Sequence, residues 1–401
     1  MKKRQTRVVT ISDGIDCATG FGVQHKIIAS ALATVPGCEV YALGLWDTTP
    51  YRRVGHITVV PCGARGVDDL TDRWGTLHHE LAPDVLVTMG DLRMFPAIIK
   101  DAEKDYTWLH FLPVDGDPFP SGCRGVFQRM DWLLLMSEYG ARTVRAEAKH
   151  AVRTRIMPLA VDTKMFTPCE DPMEFGSLRA RWSQRLKCRL HGKHVLVCHD
   201  TNSFRKNTPA LLEMMTYLPD DVLLVLHCSE KPRPGSYGWD LPAIARHEGV
   251  ADRVLFTGHG TVKPNERPEM KAWELASLIQ MADLRVSATT GEGFGVGTIE
   301  AMACGVPTVI TDCTTSGEVL GAGGLLAKVG QRAVQPGAVE KRYYVDPEDM
   351  ASCVLSLFAH DDAYESCSSA GIERVAKRYA EAHVASLWRA LMQEVLDERS
   401  D

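Results

Sequence analysis

The sequence predicts an α/β protein built from two parallel-sheet units of similar size, and three observations carry that prediction. Short β-rich apolar runs alternate with longer amphipathic stretches, the pattern of β-α-β units. The alternation restarts after residues 157–177, a stretch with three prolines and no sustained period. The chain has 401 residues, enough at roughly 150 residues per domain for two or three cores.

In the first half, residues 7–12, 39–43, 57–61, 84–88, 106–112 and 132–136 read as strands, with helical stretches such as 23–32 and 68–81 between them. In the second half, residues 194–199, 222–228, 253–257, 284–288 and 308–311 read the same way. From Asp346 onward the pattern is helical, and residues 364–397 are mostly polar, punctuated by Val375, Leu387, Leu391 and Val395. The expected organisation is an N-terminal unit over residues 1–165, a C-terminal unit over residues 166–375, and a final helical segment over residues 376–401. Two such units facing each other place a cleft at the carboxyl ends of their strands.

Hydrophobic residues make up 45% and charged residues 24%, an ordinary globular balance. Lys plus Arg is 45 and Asp plus Glu is 51, a net charge of -6, which excludes a wholesale basic footprint. The closest pair among the 12 cysteines is Cys304 and Cys313, and no C-x-x-C occurs. A zinc ribbon or thioredoxin-like motif is therefore not expected, and reduced thiols in a cytoplasmic protein are. The opening MKKRQTRVVT lacks the apolar core of a secretory signal, and no apolar run approaches the roughly 20 residues that span a bilayer.

The most informative stretch is GEGFGVGTIEAMACGVPTVIT, residues 291–311. A strand leads into a glycine-rich loop, residues 298–304 read as a short helix, and Pro307 leads into the next strand. Gly293, Gly295 and Gly297 let backbone N–H groups approach a ligand, and a helix N-terminus favours an anion. Glu292 sits at the strand–loop junction and Glu300 in the helix's first turn. A loop flanked by two carboxylates suits sugar and ribose hydroxyls as well as phosphate.

This block resembles the E-x7-E signature of retaining glycosyltransferases with the GT-B fold, of the glycosyltransferase family 4 type. TNSFRKN, residues 201–207, is similar to the family's Arg/Lys segment. MPLAVDTKMF, residues 157–166, resembles its hinge sequence, with Ala160 where glycine is usual. MSEYG, residues 136–140, resembles its S-E-x-G turn, and TGFGVQ, residues 19–24, its N-domain glycine loop. Many relatives place the arginine five residues before the lysine, where this chain has Thr201. The resemblance implies an α/β GT-B architecture, two Rossmann-like domains facing each other across a cleft, with the last helix (residues 376–401) crossing back to the N-terminal domain. It also implies transfer of a sugar from a nucleotide-diphosphate sugar, with a UDP-sugar favoured, to a hydroxyl acceptor with retention of configuration.

Residue by residue, it assigns Arg205 and Lys206 to the departing diphosphate, with Thr298 at the helix start. Glu292, with the backbone of Phe294 and Gly295, would hold the sugar and Glu300 the ribose, Val296 and Gly297 would belong to the same donor site, and the loop at Gly20 would face the donor phosphates or the acceptor. HFLPVDGDPFP, residues 110–120, follows a strand, so Asp115 would orient or deprotonate the acceptor and His110 would contact the sugar. Base selection would come from backbone near residues 258–262. Two cations at the diphosphate do the work of a divalent metal, so no cofactor or metal is expected. Asp115 and Asp117 also fit the metal-holding D-x-D of GT-A enzymes, and survival of activity in a chelator separates the two readings.

The acceptor stays open: a glycan, a lipid or a modified DNA base. Arg142, Arg145, Lys149 and Arg153 fall at helical spacing, and Arg179, Arg181, Arg185, Lys187, Arg189 and Lys193 form a second basic cluster. Such faces are solvated, meet an anionic membrane, or follow a phosphate backbone. The last reading joins a bacteriophage-type glucosyltransferase acting on hydroxymethylated pyrimidines. The same residues would also suit a nucleotide-sugar epimerase or a non-catalytic sugar-binding protein. A dinucleotide-dependent oxidoreductase is disfavoured because His25 stands where its third glycine belongs.

Overall fold

The structure, a computed structural model, describes residues 4–17, 19–232, 238–257, 270–334 and 339–399. Residues 258–262, expected to meet the base, lie outside the described residues.

The apolar runs of the first half form one sheet: β1 (Thr6–Asp13), β2 (Cys38–Leu45), β3 (Arg52–Val54), β4 (Ile57–Gly63), β5 (Val85–Met89), β6 (Thr107–Leu112), β7 (Trp132–Leu135) and β8 (Arg153–Ile156). Its order is β3-β4-β2-β1-β5-β6-β7-β8, and all neighbours run parallel except β3 against β4. The second half forms β9 (His194–Cys198), β10 (Val222–Leu226), β11 (Val254–Phe256), β12 (Leu284–Ser287), β13 (Thr308–Thr311) and β14 (Gly324–Ala327). These run parallel in the order β11-β10-β9-β12-β13-β14. Helices cover the faces, so strands such as β5, β10 and β12 are buried along their whole length, the condition that produces continuous apolar runs.

An antiparallel hairpin, β15 (Val329–Val334) with β16 (Lys341–Val345), stands apart from both sheets. It was not expected, nor were β3, β8 and β14.

The aperiodic stretch around residues 157–177 is less of a linker than its prolines imply. Asp171 caps a helix, Pro172–Leu186, accepting from the Met173 N–H at 2.8 Å, with proline at the first position where no intrahelical donor is needed. The crossing itself is pinned. Gln24 brackets the Ala160 peptide with hydrogen bonds of 2.7 and 2.9 Å, and Val161 exchanges backbone bonds with Tyr379 and Glu381.

The final helix, Glu381–Glu398, packs on the first-half helix Gly20–Leu32, with Trp388 edge-on to Phe111 at 5.4 Å. Residues Trp388, Leu391, Met392 and Val395 therefore join one core with Val8, Val87 and Phe111 of the first sheet. The twelve cysteines are free thiols. Among the described residues no helix is long and apolar enough to cross a membrane.

Candidate active site

Strands β9 and β12 are neighbours, with Leu284 opposite Leu196 and Arg285 opposite Val197. The chain runs outward from β9 to β10 and β11 on one side and from β12 to β13 and β14 on the other. Their following loops diverge and leave a crevice at the carboxyl ends. The loop after β9 makes a short turn, Phe204–Lys206, whose Arg205 carbonyl accepts from the Thr290 N–H at 2.8 Å. Arg205 Nη1 donates back to the Gly291 carbonyl at 2.6 Å. The two loops are thus stitched together by one backbone bond and one from the Arg205 guanidinium.

That stitching brings Lys206 Nζ to 2.5 Å from Glu292 Oε1 and Arg205 Nη1 to 2.9 Å from Glu292 Oε2. One carboxylate engages two cations, one at each oxygen. Threonines at the end of β13 hold its backbone: the Glu292 N–H donates to Thr314 Oγ1 at 2.8 Å, and its carbonyl accepts from Thr315 Oγ1 at 3.1 Å. The chain then turns through Gly295, at φ 98°, into the helix Val296–Ala303. Only a residue without a Cβ adopts that angle cheaply. The first N–H groups of that helix lack intrahelical acceptors, which makes its start an anion site.

Burial alone would raise the Glu292 carboxyl. The attraction of Arg205, then of Lys206, outweighs it and pushes the group down to about 2. Against burial, Glu292 and then Asp115 hold Arg205 charged, and Asp200, which follows β9, and then Glu292 hold Lys206 charged. Across the cleft, Asp115 at the tip of the loop after β6 lies 3.4 Å from Arg205 Nε and 3.5 Å from Arg342 Nη1 of β16. A Cβ at Gly291 would stand 2.2 Å from the Asp115 carbonyl, so the two halves meet where only glycine fits. The Asp117 carboxylate accepts from the hydroxyls of Tyr139 and Tyr343. The two acids of D-G-D therefore hold separate partners. Arg205, Lys206, Arg285 and Arg342 are interleaved with the carboxylates of Asp115, Asp200 and Glu292.

Residues 195–360 match the family described as Glycosyl transferases group 1. The second half carries a glycosyl transferase group 1 domain. Among curated proteins, the chain is 24% identical over 242 residues to the "Putative glycosyltransferase EpsD" of Bacillus subtilis, covering 59% of this chain and 56% of that protein. It is 26% identical over 279 residues to the "Lipopolysaccharide core biosynthesis mannosyltransferase LpsB" of Rhizobium meliloti, covering 67% and 68%. Among solved structures, sucrose-phosphate synthase from Thermosynechococcus elongatus superposes with a TM-score of 0.76 at 17% identity, covering 98% of this chain and all of that one. HepE of Anabaena in complex with UDP-glucose gives 0.69 at 13% identity, over 97% of this chain and 100% of that one. The fold is GT-B.

The group 1 domain gathers most of the expected donor residues in one place. Glu292, Arg205 and Lys206 are in direct contact, and Phe294, Gly295, Val296, Gly297 and Thr298 form the adjoining loop and helix start. The helix begins at Val296 rather than Thr298, because Gly295 already supplies the turn. Glu300 faces His199, whose Nε2 lies 3.0 Å from its carboxylate. Asp115 reaches the cluster from the other half.

Two expectations need correction, those for His110 and for the basic face of residues 142–153. His110 is fully buried in the first sheet. Its Nδ1 is hydrogen-bonded to Thr88 Oγ1 at 2.7 Å and its ring packs edge-on against Phe95 and Trp108. Burial pushes its pKa down to about 3, against a smaller opposing contribution from the Gly90 backbone, so a neutral core histidine replaces the sugar contact.

Gly20 is exposed at the first position of its helix. The Thr19 hydroxyl accepts from the Gly22 N–H at 3.0 Å and caps that helix.

The basic residues of 142–153 do not share a helix face. Helices Glu138–Thr143 and Arg145–Ala148 are separate, and Arg153 lies in β8, paired with Glu398 and stacked over Trp132. In the second cluster, Arg179 is tied to Asp283 at 2.7 Å and Arg185 to Glu274 at 3.0 Å.

Sequence reasoning missed Asp200, Arg285, Arg342 and Tyr343. Arg285 left a signal, a charge inside an otherwise apolar strand. The hairpin residues left none.

Proposed function

We propose that this protein is a retaining glycosyltransferase. It moves a sugar from a nucleotide-diphosphate sugar, a UDP-sugar first among them, to a hydroxyl of a glycan or lipid acceptor. The observation that carries this reading is the doubly engaged Glu292 beside the start of helix Val296–Ala303, with Arg205 and Lys206 both within 2.9 Å. A diphosphate leaving group needs cations and helix N–H groups where its charge grows, and the sugar hydroxyls need a carboxylate next to them. The printed names of LpsB, a lipopolysaccharide core mannosyltransferase, and of HepE bound to UDP-glucose support the donor and acceptor classes.

Asp115 orients the attacking hydroxyl from the opposite half. Glu292 is a poor nucleophile, because two cations hold its electrons. Retention then proceeds on one face: the acceptor oxygen bonds to the anomeric carbon as the diphosphate departs with the electron pair, and the departing phosphate takes the acceptor proton. Arg205 and Lys206 supply the counter-charge, so the reaction runs without a divalent metal and persists in EDTA.

A thermal-shift panel of UDP-glucose, GDP-mannose and ADP-glucose tests the donor. One of them at 100 times its dissociation constant adds about 2.7 kcal/mol of stability. With that donor, Glu292→Ala and Lys206→Ala each lower turnover by about 10²-fold or more, and NMR of the product shows retained configuration. Unchanged turnover in both variants, or a trapped covalent glycosyl-enzyme, would overturn the reading.

A further inference from the structure

Behind the Glu292 cluster lies a second ion pair that the proposed donor contacts do not use. Asp200 follows β9, and its side chain is 5% exposed. Its Oδ1 receives Lys206 Nζ at 2.9 Å and Arg285 Nη2 at 3.2 Å, and its Oδ2 receives Ser287 Oγ at 2.5 Å. Arg285 lies within β12 and is 1% exposed. Its Nη1 reaches Thr298 Oγ1 at 3.4 Å, and a Cβ at Gly297 would stand 2.9 Å from Nη2. The guanidinium therefore rests against the first turn of the helix at the donor site.

Burying two charges costs several kcal/mol per ion before their attraction offsets it, and an apolar pair of equal volume often serves a core as well or better. Packing alone does not call for Asp200 and Arg285. Their placement has another consequence. Lys206 stands between two carboxylates on different loops, Glu292 at 2.5 Å and Asp200 at 2.9 Å. Glu292 alone would leave the ammonium a single anionic anchor, about which it could swing. Asp200 supplies a second, itself anchored through Arg285 to Thr298 and through Ser287 to β12.

We infer that Asp200, braced by Arg285 and Ser287, is a positioning residue that holds the Lys206 ammonium where the departing diphosphate gains charge. The inference rests on the reading of this site as a nucleotide-sugar donor site. Asp200 neither gains nor loses a proton in the step; it fixes a cation in place before charge develops, which is where preorganisation acts.

The groups facing Lys206 are Asp200 at the end of β9, Glu292 after β12 and Arg205 in its own turn, with Arg285 and His199 behind Asp200. Burial lowers the ammonium's pKa, and Asp200, then Glu292, more than reverse this. The protonated form is the active one, so removing Asp200 moves the alkaline limb of activity to lower pH.

The test measures nucleoside diphosphate release from whichever of UDP-glucose, GDP-mannose and ADP-glucose stabilises the protein most. Wild type, Asp200→Asn, Asp200→Glu and Ser287→Ala are compared across the alkaline range. Asp200→Asn is expected to lower kcat by about 10- to 100-fold while the donor KM stays within about threefold, since misplacement of about 1 Å is costly only in the transition state. Its alkaline limb moves to lower pH, and Asp200→Glu restores the limb. Ser287→Ala leaves every charge in place and loses less in kcat, about two- to tenfold, with the limb unmoved.

Wild-type kcat and limb in folded Asp200→Asn overturn the inference, as does a loss confined to melting temperature. Where Asp200→Asn does not fold, an unchanged kcat in Ser287→Ala overturns it. Failure of the donor reading looks different: wild type then releases no nucleotide from any of the three and Lys206→Ala changes nothing, which removes this inference as well.

Discussion

The Glu292 carboxylate is set by the two cations that share it. Glu292 holds Arg205 and Lys206, and its pKa of about 2 lies below the ordinary value of 4.5. A depressed carboxyl contributes stability that is fully present above the unfolded value and is lost as pH falls from 4.5 through about 2. Arg205→Ala removes the larger of the two attractions, so the Glu292 carboxyl rises. Acid loss of both activity and structure should then begin at higher pH than in wild type, read as kcat/KM and circular dichroism between about pH 3 and 6. Identical acid limbs would show that Arg205 does not act on Glu292.

Glu292, Arg205 and Lys206 were singled out from residues close together in the chain, and the structure brings the three into contact. His110 was misread because a histidine near a strand end looks the same in sequence whether it turns toward a cleft or, as here, toward Phe95 and Trp108.

At the scale of elements, strands buried on both faces announced themselves and edge elements did not. Strand β8 reads Arg-Thr-Arg-Ile, and its arginines spread over Trp132 at 5.3 and 4.8 Å and pair with Glu398 and Glu394 of the last helix. An edge strand that packs through guanidinium groups has no apolar alternation to find. Strands β15 and β16 pair outside both sheets and are partly exposed, so burial left no imprint on them.

The last helix was visible as a helix, and its return to the first half followed from the family resemblance; the side chains it meets there were not legible. Trp388 is 1% exposed against Phe111 of β6. Trp388→Ala should therefore destabilise the protein by about 3–5 kcal/mol in urea unfolding. A cost under about 1 kcal/mol would mean the helix is not docked on the first half.

For the whole molecule, closure depends on a few contacts between the halves. Besides Asp115 with Arg205 and Arg342, the Glu318 carboxylate of the second half accepts from the Glu138 and Tyr139 N–H groups at 2.7 and 3.0 Å, capping a first-half helix. The hinge around Val161 and the docked last helix do not depend on these contacts. Replacing Asp115, Asp117 and Glu318 by alanine removes these contacts together with the Asp117–Tyr343 bond and should let the halves part by hinge motion. X-ray scattering should show a radius of gyration about 1–2 Å above the roughly 21 Å of a compact chain this long, with helix content unchanged. No increase would mean that other contacts keep the cleft shut.

By itself the sequence determined the two parallel α/β units, the glycine loop with its carboxylates and the neighbouring basic pair, because each depends on residues close together in the chain. Only the tertiary structure decided that Asp200 and Arg285 stand behind Lys206, that His110 turns into the core, and that a hairpin some 220 residues downstream meets the Asp115 loop. Those outcomes depend on which strands lie side by side and on where the two halves touch, and no local pattern of residues encodes either.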